Sequence, residues 1–382
     1  MIIKNGLVYQ EDKKFVKRDL YLEHGRIVEK PYSTAKEEIV DAEGLLVLPG
    51  LIDVHSHGAV GCDFSDGSLE GLRKILAYEY AHGITSYCPT SMTLEKDALY
   101  ELFEGMRCWQ DGRGMSRVQG LHMEGPFLDM AKRGAHRKEC ILAPDVDFFR
   151  KCNQACGKRI RIVTLAPGGM SGNGSRKEGG DFSGQWAVLD VIERLCRETV
   201  VSLGHTCADY DTAKAALAAG ASHITHLFNA MMPFDHREPG LIGAAAEDVN
   251  CMAELICDGV HVHESMVRAA FKLFPGRIVL ISDSMRATGM GDGIYDLGGQ
   301  MVEVKGPKAT LTDGRLAGSV TNLYDCMCQA VKFGIPMEEA IAAATMNPAR
   351  SIGIYNEVGS LSPGKHGDVL LADRELKLLK VI

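Results

Sequence analysis

The run Asp53-Val54-His55-Ser56-His57-Gly58 follows directly on an apolar stretch of this 382-residue chain. Side chains two apart on a strand face the same way, so His55 and His57 can point into one cavity. Two imidazoles converging at a strand end suit a borderline divalent ion such as Zn²⁺. Two ordinary loop histidines are the alternative. Four more residues close apolar runs: Glu124 in LHMEGPF, His205 in SLGHT, His226 in THLFNAM and Asp283 in LISDS. Any one of them could be a hydrogen-bonded structural residue. As a set they offer imidazole and carboxylate ligands for a divalent ion, with a position left for water. Such an ion lowers the pKa of the water towards neutrality, and a free carboxylate can pass its proton to a leaving amine. The chemistry is metal-assisted hydrolysis of an amide or a similar bond.

Other candidates carry two readings each. His122 shares a strand face with Glu124 and could be only its structural neighbour. His136, in KRGAHRK, could polarise a carbonyl or sit in solvent. Arg237, in DHREPG, could bind an anion or simply be exposed. His261 and His263, in DGVHVHES, form a second pair that could be a metal pair or a substrate contact. His24, His82, His223, His236 and His366 receive no role.

The elements that must position these residues alternate. Apolar β-like runs at 51–55, 84–88, 117–123, 159–165, 199–205, 222–227, 251–257 and 277–283 are separated by helical periods. Ser68 can cap a helix bearing Leu69, Leu72, Ile75 and Leu76, with Gly83 beyond its end. Asp209 can cap another that Gly220 ends. Eight β-runs, most followed by a helix, predict a (β/α)8 barrel, with an open doubly wound sheet as the alternative. In a barrel the C-terminal strand ends converge on one rim, which would gather all the candidates above. The first ~50 residues and the tail read as short strands that could pair into one small β-domain. A hairpin-like stretch (289–320) and helical segments (321–353) lie between. The expected organisation is 1–50 and 354–382 as the β-domain and 51–353 as the catalytic barrel. Residues 168–184 hold seven glycines in seventeen positions without GxxxxGK[ST] or GxGxxG spacing, so no phosphate loop is expected. A surface loop and a mobile lid are the two readings of that segment.

Composition narrows the class. Hydrophobic residues make up 46% and charged residues 24%, the balance of a globular protein. The net charge of −8 argues against a nucleic-acid partner. Twelve scattered cysteines without a CxxC pair fit reduced thiols in a cytoplasmic protein. The start, MIIKNGLVYQEDKKF, meets a lysine at position 4 and lacks the apolar core of a signal peptide. The apolar runs are too short for a membrane span.

The sequence resembles the amidohydrolase superfamily and, within it, the family of N-acetylglucosamine-6-phosphate deacetylases. PGLIDVHSHG (49–58) is the superfamily-level signal; HMEGPF, SLGHT and THLFNAM are more specific. KRGAH, TLAP, ICDGVHV, ISDSM, LAGS, NPAR and the GSLSPGKHGDVLL tail extend the likeness through nearly the whole chain. The resemblance implies an α/β fold, a (β/α)8 TIM barrel with a small β-sandwich domain built from both chain ends. It implies removal of acetate from N-acetyl-D-glucosamine 6-phosphate. The galactosamine epimer, a cyclic amide and a non-catalytic scaffold are the rival readings. By resemblance, Glu124, His205 and His226 are the main metal ligands. Because His55 and His57 are both present, two ions bridged by Glu124 are favoured over one, with Zn²⁺ ahead of Fe²⁺. Asp283 matches the general base and acid, and His136 a contact to the carbonyl. Asn229, Ala230, Arg237 and His261 match sugar-phosphate contacts, and Ala135 and Leu316, Ala317 and Gly318 further substrate positions. Arg237 would clamp the phosphate. A homodimer, with some contacts crossing between subunits, is also implied. One departure is Gly168 after TLAP, where the family often has Glu; it touches the fourth-strand loop and none of the ligands.

Overall fold

The computed structural model describes residues 1–30, 38–168 and 183–382. The glycine-rich segment read above as a loop or lid lies, apart from its edges, outside the described residues.

Eight parallel strands carry the architecture. They are β1 (Leu51–Ser56), β2 (Ile84–Ser91), β3 (Leu121–Glu124), β4 (Ile160–Leu165), β5 (Val200–Leu203), β6 (His223–Ile224), β7 (Met252–Ile256) and β8 (Ile278–Ile281). Each is hydrogen-bonded to the next in order. Closure comes at the mouth, where Asp283 N donates to His55 O (3.0 Å) and His57 N to Ser284 O (2.8 Å). The result is the (β/α)8 barrel. The open-sheet alternative is excluded by that closure.

Each of the eight β-runs of the sequence overlaps one of these strands, with two refinements. The third run breaks at Gly120, so Arg117–Val118 pairs with β2 separately from β3. The sixth run keeps only two residues as strand before its backbone turns. The helices start where their caps put them. Ser68 Oγ accepts from Gly71 N (3.0 Å) ahead of Leu69–Ala81, and Asp209 from Thr212 N (2.9 Å) ahead of Tyr210–Ala218. Gly83 and Gly220 follow with φ of +85° and +113°, a region that costs glycine little.

The chain ends build a two-sheet β-domain against the barrel. One sheet runs Arg26–Val28, Leu20–Glu23, Ile2–Lys4, Ile39–Asp41; the other runs Leu378–Val381, Val369–Ala372, Leu46–Pro49, Leu7–Tyr9, Phe15–Lys17. Leu46–Pro49 lies antiparallel to Val369–Ala372, joining the two ends of the chain. The central strands Leu46–Pro49 and Val369–Ala372 of the second sheet are buried on both faces, and period-two alternation divides their side chains. Val47, Val369 and Leu371 join Ile3, Val8, Leu20 and Ile27 in a small core of their own. Leu46, Leu48, Leu370 and Ala372 turn the other way into the barrel's main core.

The hairpin-like stretch is a three-stranded antiparallel sheet, Gly293–Leu297, Gln300–Lys305 and Lys308–Leu311. Its apolar face packs on Met92, Met285 and Ala317 beside the barrel mouth. Helices Leu323–Lys332, Met337–Ala344 and Met346–Ser351 complete the expected helical segment. Among the described residues no helix is long and apolar enough to cross a membrane.

Candidate metal centre

Glu124 is the last residue of β3 and is 2% exposed. Its Oε1 lies 3.1 Å from His205 Nε2, 3.1 Å from His226 Nε2 and 3.4 Å from His55 Nε2. Its Oε2 lies 3.3 Å from His57 Nε2 and 3.3 Å from His136 Nε2. One carboxylate therefore faces two groups of nitrogens, one on each oxygen. Asp283 Oδ1 reaches one ring of each group, 3.3 Å from His57 Nε2 and 3.7 Å from His55 Nε2. His205 Nε2 and His226 Nε2 are only 2.9 Å apart.

The local backbone explains how residues far apart in sequence meet. His55 and His57 are two apart at the end of β1, as are His122 and Glu124 on β3, so each pair shares a face. His205, His226 and Asp283 sit just beyond β5, β6 and β8 with φ of +48°, +29° and +49°. Left-handed backbone at non-glycine residues costs of order 1–3 kcal/mol each and concentrates at functional sites. Here it turns each side chain inward at the rim.

Hydrogen bonds behind the rings fix their protons. His205 Nδ1 bonds to Lys132 O (2.8 Å) and His57 Nδ1 to Thr90 O (3.1 Å). A carbonyl only accepts, so both rings carry a proton on Nδ1 and, when neutral, turn a lone pair on Nε2 to the centre. His55 Nδ1 is bonded to Glu254 Oε2 (2.8 Å), with the same outcome. His136 is reversed: its Nδ1 accepts from Thr93 N (3.2 Å). Its neutral ring therefore presents an Nε2–H donor, suited to a carbonyl oxygen rather than to an ion.

The charges are tightly coupled. Burial opposes ionisation of Glu124, but His55, His136 and His205 outweigh it and hold its pKa well below the usual range. Burial likewise opposes Asp283, and His57 and His55 bring its carboxyl down to about 2. Burial disfavours a charged His57, yet Asp283 and Glu124 raise its pKa to about 10. Burial takes His205 down to about 4. Clustered acids and imidazoles that need one another's charge are what a divalent ion would replace. His55 Nε2 is buried without a hydrogen-bond partner, which the ligand role would satisfy. Glu124, His205 and His226 have ligand atoms within 4.8 Å of one another, as do His55, His57 and Asp283. The donor sets fit divalent ions.

A cavity of about 350 Å³ opens above this centre. It is lined by His57, Glu124, His205, His226 and Asp283, and by His136, Ala135, Asn229, Ala230 and His261. Leu316, Ala317 and Gly318 form another part of its wall. His55 lies beneath, fully buried. Arg237 is exposed and does not line the cavity of its own chain. The two histidines of the second pair separate. His261 is held by Asp258 (2.7 Å) in the wall, whereas His263 is exposed and caps helix Glu264–Leu273. His122 spends both nitrogens on Val54 O (3.1 Å) and Thr164 Oγ1 (2.8 Å). Sequence reasoning passed over Met92, Lys132, Leu297 and Arg315, which also line the cavity. Arg315, next to LAGS, and Lys132, which opens KRGAH, had motifs to mark them.

The sequence pattern of the Amidohydrolase family matches residues 46–381. The chain is 36% identical to the N-acetylglucosamine-6-phosphate deacetylase of Bacillus subtilis (strain 168), covering 100% of this chain and 92% of that protein. It is 32% identical to the N-acetylgalactosamine-6-phosphate deacetylase of Escherichia coli O157:H7, covering 90% and 88%. Among solved structures it resembles a mutant N-acetyl-D-glucosamine-6-phosphate deacetylase from Mycobacterium smegmatis in complex with N-acetyl-D-glucosamine-6-phosphate. That likeness has a TM-score of 0.87 at 30% identity over 100% of this chain and 97% of the other.

Proposed function

The chain belongs to the amidohydrolase family, and from that membership we propose that it hydrolyses N-acetyl-D-glucosamine 6-phosphate to D-glucosamine 6-phosphate and acetate. The observation that carries the reading is Glu124, whose Oε1 faces His55, His205 and His226 and whose Oε2 faces His57 and His136. We assign two divalent ions per subunit, Zn²⁺ ahead of Fe²⁺. Glu124, His205 and His226 would hold one, and His55 and His57, with Glu124 as bridge, the other. Bound there, a divalent ion acidifies a water and polarises the acetyl carbonyl.

The chain's own groups do the rest. Asp283, ionised, takes the proton from the attacking water as the new C–O bond forms. It returns that proton to the amine nitrogen as the C–N bond breaks. His136 donates its Nε2–H to the acetyl oxygen. Ala135, Asn229, Ala230 and the Leu316–Gly318 segment seat the sugar, and His261 reaches its phosphate. Arg237 supplies the phosphate's second positive charge. Its exposure on its own chain supports a homodimer in which it enters the neighbouring subunit's cavity. Residues 1–50 and 354–382 form the β-domain in this reading, and 51–353 the catalytic barrel. The free cysteines support a cytoplasmic setting.

Acetate release from the Zn²⁺-loaded protein tests the reading. N-acetylglucosamine 6-phosphate is expected to be the best substrate, and removing its phosphate to cost about 10²-fold in kcat/KM. Faster turnover of the galactosamine epimer would transfer the assignment to that sugar, a second reading the Escherichia coli relative supports. No acetate from either would overturn both.

A further inference from the structure

Glu254 lies on β7 inside the barrel and is fully buried. Interior barrel positions are normally filled by branched apolar side chains, and a buried carboxylate is costly unless it is well bonded. Its Oε2 accepts from His55 Nδ1 (2.8 Å) and from the backbone N–H of His226 (3.1 Å). One oxygen thus grips a residue from each of the two ion sites proposed above, His55 from one and His226 from the other. Its Oε1 lies 3.6 Å from His223 Nδ1.

A polar layer surrounds it under the mouth. His122 bonds to Val54 O and to Thr164 Oγ1. Thr164 bonds to Thr225 (2.7 Å), Thr225 to Ser202 (2.6 Å) and Ser202 to His223 Nδ1 (3.2 Å), beside Glu254. Every member is buried. The layer therefore runs from β1 through β3, β4, β5 and β6 to β7, and Glu254 completes it back to His55. On its far side, His55 turns Nε2 to the centre with no hydrogen-bond partner, 3.4 Å from Glu124 Oε1. A carboxylate behind an imidazole fixes its tautomer and orientation and raises its basicity as a ligand.

We propose that Glu254 is a positioning residue: it holds the proton of His55 on Nδ1 and ties that ring to the His226 backbone, setting the spacing of the two ion sites. The proposal rests on the two-ion reading above. Its direct consequence is that the His55/His57 ion depends on Glu254 far more than the Glu124/His205/His226 ion does.

The test is a Zn²⁺ titration of the metal-free protein, with ions counted after dialysis and with thermal unfolding of the metal-free form. The parent protein is expected to hold two ions; one or none would sink the two-ion reading itself. Given two, Glu254→Leu is expected to weaken one ion by 10–100-fold while leaving the other within about threefold. Glu254→Gln is expected to recover most of that loss, because its carbonyl oxygen can accept the same two N–H groups. Should the Leu variant fail to fold, Glu254→Asp keeps the charge but withdraws the oxygen by one methylene, and the same selective loss is expected. Parent-like affinity for both ions in the Leu or Asp variant, or a Gln variant no better than Leu, overturns the proposal.

Discussion

The barrel mouth and the terminal β-domain are both made of short strands, and they use burial in opposite ways. In the β-domain, alternation sends Val47 and Leu371 to one apolar core and Leu46, Leu48 and Leu370 to another. In the mouth the same alternation delivers His55 with His57, and His122 with Glu124, into a buried crowd of charges. Three of the residues there are held in left-handed backbone. Apolar burial lowers the free energy of the fold in proportion to area; buried charge has to be matched by partners before it breaks even. The two regions therefore answer to different perturbations, and variants should separate catalysis from stability cleanly.

Asp283→Asn should give the largest effect. Steady-state kinetics are expected to show turnover falling by about 10²–10⁴-fold, while substrate still binds and the melting temperature holds. Near-normal turnover would remove Asp283 from the mechanism. Leu371→Ala attacks the other region. With Leu371 3% exposed in the small core, urea unfolding is expected to show a loss of about 2–5 kcal/mol. The kcat/KM of the folded fraction should stay within about twofold; a large catalytic defect would show that the regions are not separable. The smallest effect sharpens the contrast through protons. In the metal-free protein burial disfavours the charged imidazoles, yet Glu124 and Glu254 raise His55, and Asp283 and Glu124 raise His57 to about 10. A folded-state pKa raised above 6.5 contributes stability that is full below pH 6.5 and is lost as pH rises towards about 10. Calorimetry of the metal-free protein should show its melting temperature drifting down across that window. Adding Zn²⁺ near pH 7.5 should release roughly one to two protons, read by a pH-stat. No release would mean that the rings are already neutral.

Much of this was legible in the residues. The HxH pair, Glu124, His205, His226 and Asp283 stand out because each ends an apolar run, and a barrel brings strand ends to one rim. The caps at Ser68 and Asp209 are local, and local hydrogen bonds are readable from local sequence. What was not legible depends on tertiary contact. The carbonyls of Lys132 and Thr90 set two imidazole tautomers, and any residue type carries a carbonyl. Thr93 N reverses His136 in the same silent way. Glu254 had a signal, a lone acid inside the apolar run CMAELIC, yet a charge within a strand reads equally well as a solvent-facing position. Arg237 carries the right chemistry for a phosphate, yet it is exposed and lies outside the cavity of its own chain, which no local pattern could have told.

The left-handed turns at His205, His226 and Asp283 also bear on descent. Each asks an L-amino acid to occupy a conformation that glycine adopts freely, so the active enzyme keeps these side chains against a standing backbone preference. A lineage released from catalysis could relieve that backbone strain by His205→Gly or Asp283→Gly, with no chemistry left to lose. Loss of function in such a barrel should therefore leave a glycine scar at the rim, and the first relic would stand where strands five, six and eight run out.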